Sequence, residues 1–197
     1  IIVVSIFGLL ILANIINYLI EQQNRIPRDK KFGIYVLDLS TNEVSLIYSS
    51  DIRISGLRLN NNGTMFVFYQ KFGGDEDTNE EICIVDINGT NFKRLTDNNY
   101  WDLYPCWSPN GSKIAFLSKR NNDLDIYMMD ANGSNVRKIY DSGYNDADID
   151  WVGNKIVFTR NSQIWVINEN GTNPQQITNY SRAGEKSNLQ LPYGDYD

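Results

Sequence analysis

Four polar stretches carry the residues of this 197-residue chain that could do chemistry. They read KFGGDEDTNE (71–80), DNNYWD (97–102), KRNNDLD (119–125) and DSGYNDADID (141–150), with three basic and twelve acidic side chains between them. Tyr100, Trp101, Tyr104 and Tyr144 lie among those charges. Carboxylates beside exposed aromatic rings suit a cation: a basic peptide, or a metal ion such as calcium. Tyr100, Trp101, Asp102, Tyr144, Asp146 and Asp148 are therefore the candidate ligand-binding residues. No cofactor is required, and calcium is the one ion the pattern could take. No stretch has EF-hand spacing: Asp75 to Asp77 lacks the spaced ligands and terminal Glu. Asp146, Asp148 and Asp150 alternate, but Asp150 is expected in a strand.

The composition excludes other chemistries. There is no histidine, which removes the commonest general base and metal ligand. No G-x-S-x-G elbow is present, so these residues lack a hydrolase nucleophile and are not expected to form an enzyme. Cys83 and Cys106 have no metal-ligand spacing. They read as half-buried free thiols, with a disulfide between them left open by sequence. A net charge of −6 argues against nucleic acid.

The elements that position these stretches repeat. IYVLDLSTN from Ile34, ICIVDINGT from Ile82, IYMMDANGS from Ile126 and IWVINENGT from Ile164 begin 48, 44 and 38 residues apart. Each is a short apolar strand and a polar turn, followed by a further strand. Asn-Gly between strands signals a tight hairpin, because both residues tolerate positive φ. A second set of hairpins interleaves with the first: LRLNNNGTMFVFYQ from Leu57, PCWSPNGSKIAFLS from Pro105 and IDWVGNKIVFTR from Ile149. Four strands in about 40 residues is the size of a propeller blade.

The run from Asp102 through Pro105, Trp107, Ser108, Pro109, Asn110 and Gly111 to Phe116, then Ile126 to Gly133, resembles a TolB-like β-propeller repeat, a WD40-like repeat termed PD40. Asn110 stands where that repeat usually has Asp. The resemblance implies an all-β fold of four-stranded blades, about three and a half of them here, in an incomplete ring. A half-blade covers 32–50, whole blades cover 51–97, 98–142 and 143–179, and 180–197 begins another. Asp102 is expected to bond the amides of the turn entering its strand, and Asp86 and Asp130 those of their own turns. Trp107 and Trp151 are expected to pack between blades. Six Asn-x-Ser/Thr triplets occur, at Asn62, Asn88, Asn110, Asn132, Asn170 and Asn179, and turn chemistry accounts for the five that read Asn-Gly-Ser/Thr.

In such a ring the turns within hairpins lie on one face, and the connections between second and third strands and between blades lie on the other. The four acidic stretches are all on the latter, inter-blade face. The hairpin face is slightly basic, with Lys93, Arg94, Lys113, Arg137, Lys138 and Lys155 outnumbering Glu43, Asp86, Asp130 and Glu169.

Ile1 to Ile20 is apolar all round and long enough to cross a bilayer, so it is expected to be a helical membrane anchor or signal segment. A polar linker, 21–31, follows. The family resemblance implies a propeller outside the cytoplasm, tethered by residues 1–20, that binds a protein or peptide without catalysis. Two alternatives stand beside it: the propeller of a serine peptidase, prolyl-oligopeptidase-like or tricorn-like, with its catalytic domain elsewhere, and a membrane-anchored sensor with the propeller as ectodomain.

Overall fold

The computed structural model describes residues 2–5, 32–72 and 79–179. Every regular element among them is a strand. Three sheets have four antiparallel strands each. The first runs β4 (Ile54–Leu59), β5 (Met65–Phe72), β6 (Asn79–Asp86), β7 (Lys93–Arg94). The second runs β8 (Asp102–Trp107), β9 (Lys113–Ser118), β10 (Asp125–Asp130), β11 (Arg137–Tyr140). The third runs β12 (Asp146–Val152), β13 (Lys155–Arg160), β14 (Gln163–Asn168), β15 (Gln175–Gln176). A smaller sheet precedes them, with β1 (Ile2–Ser5) beside β2 (Phe32–Asp38) and β2 beside β3 (Glu43–Ser50).

The expected membrane helix over 1–20 is not what its first residues form. Ile2–Ser5 is a strand, paired in parallel with β2 so that Ile2 lies opposite Ile34 and Ser5 opposite Leu37. A β-branched run suits that role, because β2 otherwise presents an unpaired row of backbone donors and acceptors. Residues 6–20 of that expectation, with linker 21–31, lie outside the described residues. Among the described residues, no helix is long and apolar enough to cross a membrane.

The first two complete sheets bury both faces against neighbours, which is why their middle strands are nearly continuously apolar, whereas β13 of the third alternates in burial. Ile34 packs with Ile54, Leu57, Phe66, Phe68, Cys83 and Val85. Val67, Ile82 and Ile84 pack with Trp107, Ile114, Phe116, Tyr127 and Met129. Cys106, Leu117 and Met128 pack with Ile149, Trp151, Phe158 and Ile167. Trp107 and Trp151 thus lie at equivalent places in successive inter-sheet cores. Both thiols are free and buried, in different cores. Burial pushes Cys83 up to about 12 and raises Cys106 further, so neither is a reactive thiolate near neutrality.

The turns close locally. In the β6–β7 turn the Gly89 amide donates to the Asp86 carbonyl at 2.9 Å, and Asn88 Oδ1 accepts from the Thr90 amide at 3.0 Å. The Asp86 and Asp130 carboxylates take side chains rather than the expected amides. Asp86 accepts from Thr90 and Asn91, and Asp130 from Lys113, Ser134 and Asn135. The turn amides are taken by the Asp86 and Asp130 carbonyls and by Oδ1 of Asn88 and Asn132.

Candidate functional site

The first strand of each sheet carries a β-bulge at the same place, between Ser55 and Arg58, Leu103 and Cys106, and Ala147 and Asp150. The extra residue has positive φ in all three: Gly56 at 62°, Tyr104 at 50°, Asp148 at 48°. A bulge re-aims the side chain it carries. The three bulges border one cleft of about 310 Å³, lined by Gly56, Arg58, Tyr104, Pro105, Asp148, Ile149 and Asp150. Asp148 is exposed and accepts a hydrogen bond from Thr159 Oγ1 at 3.1 Å. Arg58 donates to its neighbour's carbonyl, leaving most of its guanidinium donors free for a ligand. Tyr104 stands edge-on to Tyr69, with ring centroids 5.4 Å apart. Burial, and then Tyr104, pushes the Tyr69 hydroxyl up to about 12, so it stays a neutral donor.

The six candidate residues separate into three groups. Tyr100 and Trp101 are exposed on the connection before β8, Trp101 by 47%. Arg120 lies 5.4 Å from the Tyr100 ring centre and Lys119 5.1 Å from the Trp101 ring centre, so these rings already hold cations from their own sheet. Tyr144 is exposed on the connection before β12. Only Asp148 lines the cleft. Asp102 and Asp146 are 0% exposed and do not line it.

Those two carboxylates belong to a buried polar layer. At the strand starts and ends of the first two complete sheets sit Gln70 and Glu81, then Asp102, Ser118 and Asp125; Asp146 and Arg160 follow in the third. Asp102 accepts from Ser118 Oγ at 2.5 Å and Asn98 Nδ2 at 2.8 Å. It therefore bonds side chains, and Asn98 Oδ1 takes the turn amide of Tyr100 instead. Asp146 accepts from Arg160 Nε and Ser142 Oγ, both at 3.0 Å. Glu81 accepts from Arg94, Thr96 and the Asn98 amide. Lys138 bonds Asp125 at 3.3 Å and Asp141 at 2.5 Å.

Arg94 and Lys138 correct the sequence count of charge. Both count toward the hairpin face by sequence position. Their long side chains reach back to carboxylates of the opposite face, as such stems allow. The acidity of the inter-blade face is partly neutralised from within. Among the described residues, one group of three carboxylates gathers: Asp123, Asp125 and Asp141, with one oxygen from each within 4.8 Å of the others. The Lys138 ammonium already bridges two of them. The alternation at 146, 148 and 150 does not gather: Asp146 is buried on Arg160, while Asp148 and Asp150 face the cleft.

Burial raises Asp102, Asp125 and Asp146 above the ordinary carboxylate value of 3.8, despite bonds to Ser118, Lys138 and Arg160 that pull the other way. A raised folded value means the native state holds protons more tightly than the unfolded state. The stability these groups contribute is full below 3.8 and lost as pH rises through their folded values. Asp130 and Asp141 run oppositely, since bonds from Lys113 and Lys138 lower them. Their contribution is present above 3.8 and lost as pH falls through their own folded values. The melting temperature should therefore rise on mild acidification from neutrality and fall below 3.8. Asp102→Asn should flatten the rise. An unchanged slope in that variant, measured by thermal melts across pH, contradicts the assignment.

Arg58, Tyr104 and Asp150 complete the cleft but are not among the candidate residues. A signal for them existed in the repeat: Gly56, Tyr104 and Asp148 are each the third residue of a first strand, and Arg58 and Asp150 each the fifth.

A family model described as the TolB beta propeller domain matches residues 15–190. A TolB homologue of Chlorobium luteolum is 28% identical over 96 residues, 48% of this chain and 20% of that protein. The structure of TolB from Acinetobacter baumannii superposes with a TM-score of 0.60 at 23% identity, covering 74% of this chain and 37% of that one. A puromycin hydrolase structure superposes with a TM-score of 0.55 at 11% identity, covering 72% and 24%. The chain thus spans well under half the length of each of these. With the family match running over most of the sequence, and bulged four-stranded sheets packed face to face as such blades require, the chain belongs to the TolB β-propeller domain family.

Proposed function

We propose that this chain is part of an exported, non-catalytic interaction propeller that holds a protein or peptide segment at the cleft between β4, β8 and β12. The observation that carries the reading is the convergence of three bulges on one cleft. It brings a guanidinium, Arg58, two carboxylates, Asp148 and Asp150, and the Tyr104 ring to one lining. Both signs of charge and an aromatic on a rigid scaffold suit an extended segment with donors, acceptors and a side chain to bury. Tyr100, Trp101 and Tyr144 supply aromatic surface on the same side of the molecule. The internal neutralisation by Arg94 and Lys138 makes a strongly basic partner unnecessary.

Photo-crosslinking residues placed at Tyr104 and, on the hairpin side, at Val152 test this in the full-length protein. Capture at 104 and not at 152 is the expected result. Asp148→Asn, which keeps a residue that tolerates positive φ, and Trp101→Ala should each weaken the captured interaction about tenfold, the size of a modest hot spot. Capture at 152 alone places the surface on the wrong face. The second reading, a propeller attached to a serine hydrolase, rests on the fold shared with the puromycin hydrolase. Labelling of the full-length protein by a fluorophosphonate probe would put that reading first.

A further inference from the structure

Five turns have the sequence Asn-Gly-Ser/Thr, and one differs from the other four in its hydrogen bonding. Asn88 Oδ1 accepts from the Thr90 amide and hydroxyl at 3.0 and 2.7 Å. Asn132 and Asn170 hold Ser134 and Thr172 in the same way. Asn110 accepts three bonds, from Ser108 Oγ and from the Ser112 amide and hydroxyl. Among the described residues, the exposed Asn62 carboxamide makes no hydrogen bond. The cause is Asn60. Its Oδ1 accepts the Thr64 and Met65 amides at 2.9 and 3.2 Å, and its Nδ2 donates to Thr64 Oγ1. In the β8–β9 turn the corresponding residue is Ser108, whose hydroxyl accepts the Lys113 amide, the counterpart of the Met65 amide, and donates to Asn110. The Ser112 amide, the counterpart of the Thr64 amide, is left to Asn110. A longer residue two positions before Asn62 has taken over its bonds.

We propose that Asn62-Gly63 is the site of spontaneous deamidation in the folded protein. The Gly63 nitrogen attacks Cγ of Asn62, forming a C–N bond. The glycine amide proton passes to solvent, solvent returns one to Nδ2 of Asn62, the Cγ–Nδ2 bond breaks, and ammonia leaves. Water then opens the five-membered imide at either carbonyl, leaving aspartate or isoaspartate and one added negative charge. The glycine amide does not discriminate between turns, because in all five it donates to the carbonyl three residues earlier, at 2.8–2.9 Å. The carboxamide does discriminate: in four turns it must surrender two or three hydrogen bonds before Cγ can be reached, and at Asn62 it surrenders none. Space points the same way. A Cβ at Gly63 or Gly111 would meet nothing within 4 Å, whereas Gly89, Gly133 and Gly171 press against backbone of the preceding sheet, so the carboxamide bonds alone separate Asn62 from Asn110.

The test incubates the folded full-length protein at mildly alkaline pH and quantifies aspartate and isoaspartate at each asparagine by peptide mass spectrometry. Conversion at Asn62 should run at least about tenfold faster than at Asn110, the rate equivalent of a single net hydrogen bond released there. In concentrated urea the five rates should converge. Asn60→Ser, which restores the arrangement of the β8–β9 turn, should slow conversion at Asn62 alone. Equal folded-state rates at Asn62 and Asn110 overturn the proposal. So does a difference that survives in urea, or an Asn60→Ser rate that is unchanged at Asn62.

Discussion

Arg160→Met is expected to destabilise the protein by about 3–5 kcal/mol, the cost of stranding a buried charge by removing its partner. Asp146 is 0% exposed and Arg160 only 8%, so water cannot replace the lost cation. The guanidinium also lies 4.4 Å from the Trp165 ring centre and 5.2 Å from those of Tyr140 and Phe158. Met fills much of the same volume, so the loss reports charge more than packing. Asp146→Asn in the same background should recover most of it, because no ion then remains to be solvated. Urea denaturation of the two single variants and the double variant measures the coupling. A cost for Arg160→Met below about 1 kcal/mol, typical of a surface pair, refutes the argument, as does a double variant no more stable than the single.

Gly171→Ala is the second large effect. Gly171 lies in the β14–β15 turn at φ 85°, and a Cβ there would lie 1.8 Å from the Ile139 carbonyl oxygen of β11. That neighbour is backbone and cannot swing aside, so the turn must lift off the preceding sheet. Left-handed strain of about 1–2 kcal/mol adds to an overpacking cost of about 1–3 kcal/mol. Gly111 at φ 70° has nothing within 4 Å of the same atom, so Gly111→Ala carries the conformational part alone. Gly89 and Gly133 fall between, at 2.6 Å from the Ile47 oxygen and 3.1 Å from the Leu95 oxygen. The order of denaturation midpoints should follow those distances, with Gly171→Ala lowest. Equal losses for Gly171→Ala and Gly111→Ala would show that inter-sheet approach contributes nothing. The Asn-Gly turns thus close their hairpins, and three of them also seat one sheet against the next.

The hairpins, their turns and the blade-sized repeat were legible in the sequence because the interactions that make them are local. An Asn-Gly-Thr turn satisfies its own amides within five residues, as Asp86 to Thr90 does, and apolar alternation needs no distant partner to be recognised. Trp107 and Trp151 were legible as inter-blade residues for a related reason: equivalent positions in a repeat meet equivalent surroundings. Three things were not legible. Asp102 and Asp146 resemble surface acids in the sequence, but each is enclosed by a residue 14 or 16 positions away that only strand pairing brings near. Arg94 and Lys138 change faces because their stems are longer than the strands are wide. The first residues pair as a strand because an unpaired β2 edge competes for them, and an apolar run alone does not say which partner wins.

By sequence alone Tyr100, Trp101 and Tyr144 fall in connections between strands, and they are exposed there. Local periodicity determines which loops share a face. Which of their side chains stay accessible was decided by the bulges and the buried polar layer. Those leave Asp148 in the cleft and enclose Asp102 and Asp146, since burial depends on neighbours from other strands and not on the spacing of a residue in its own.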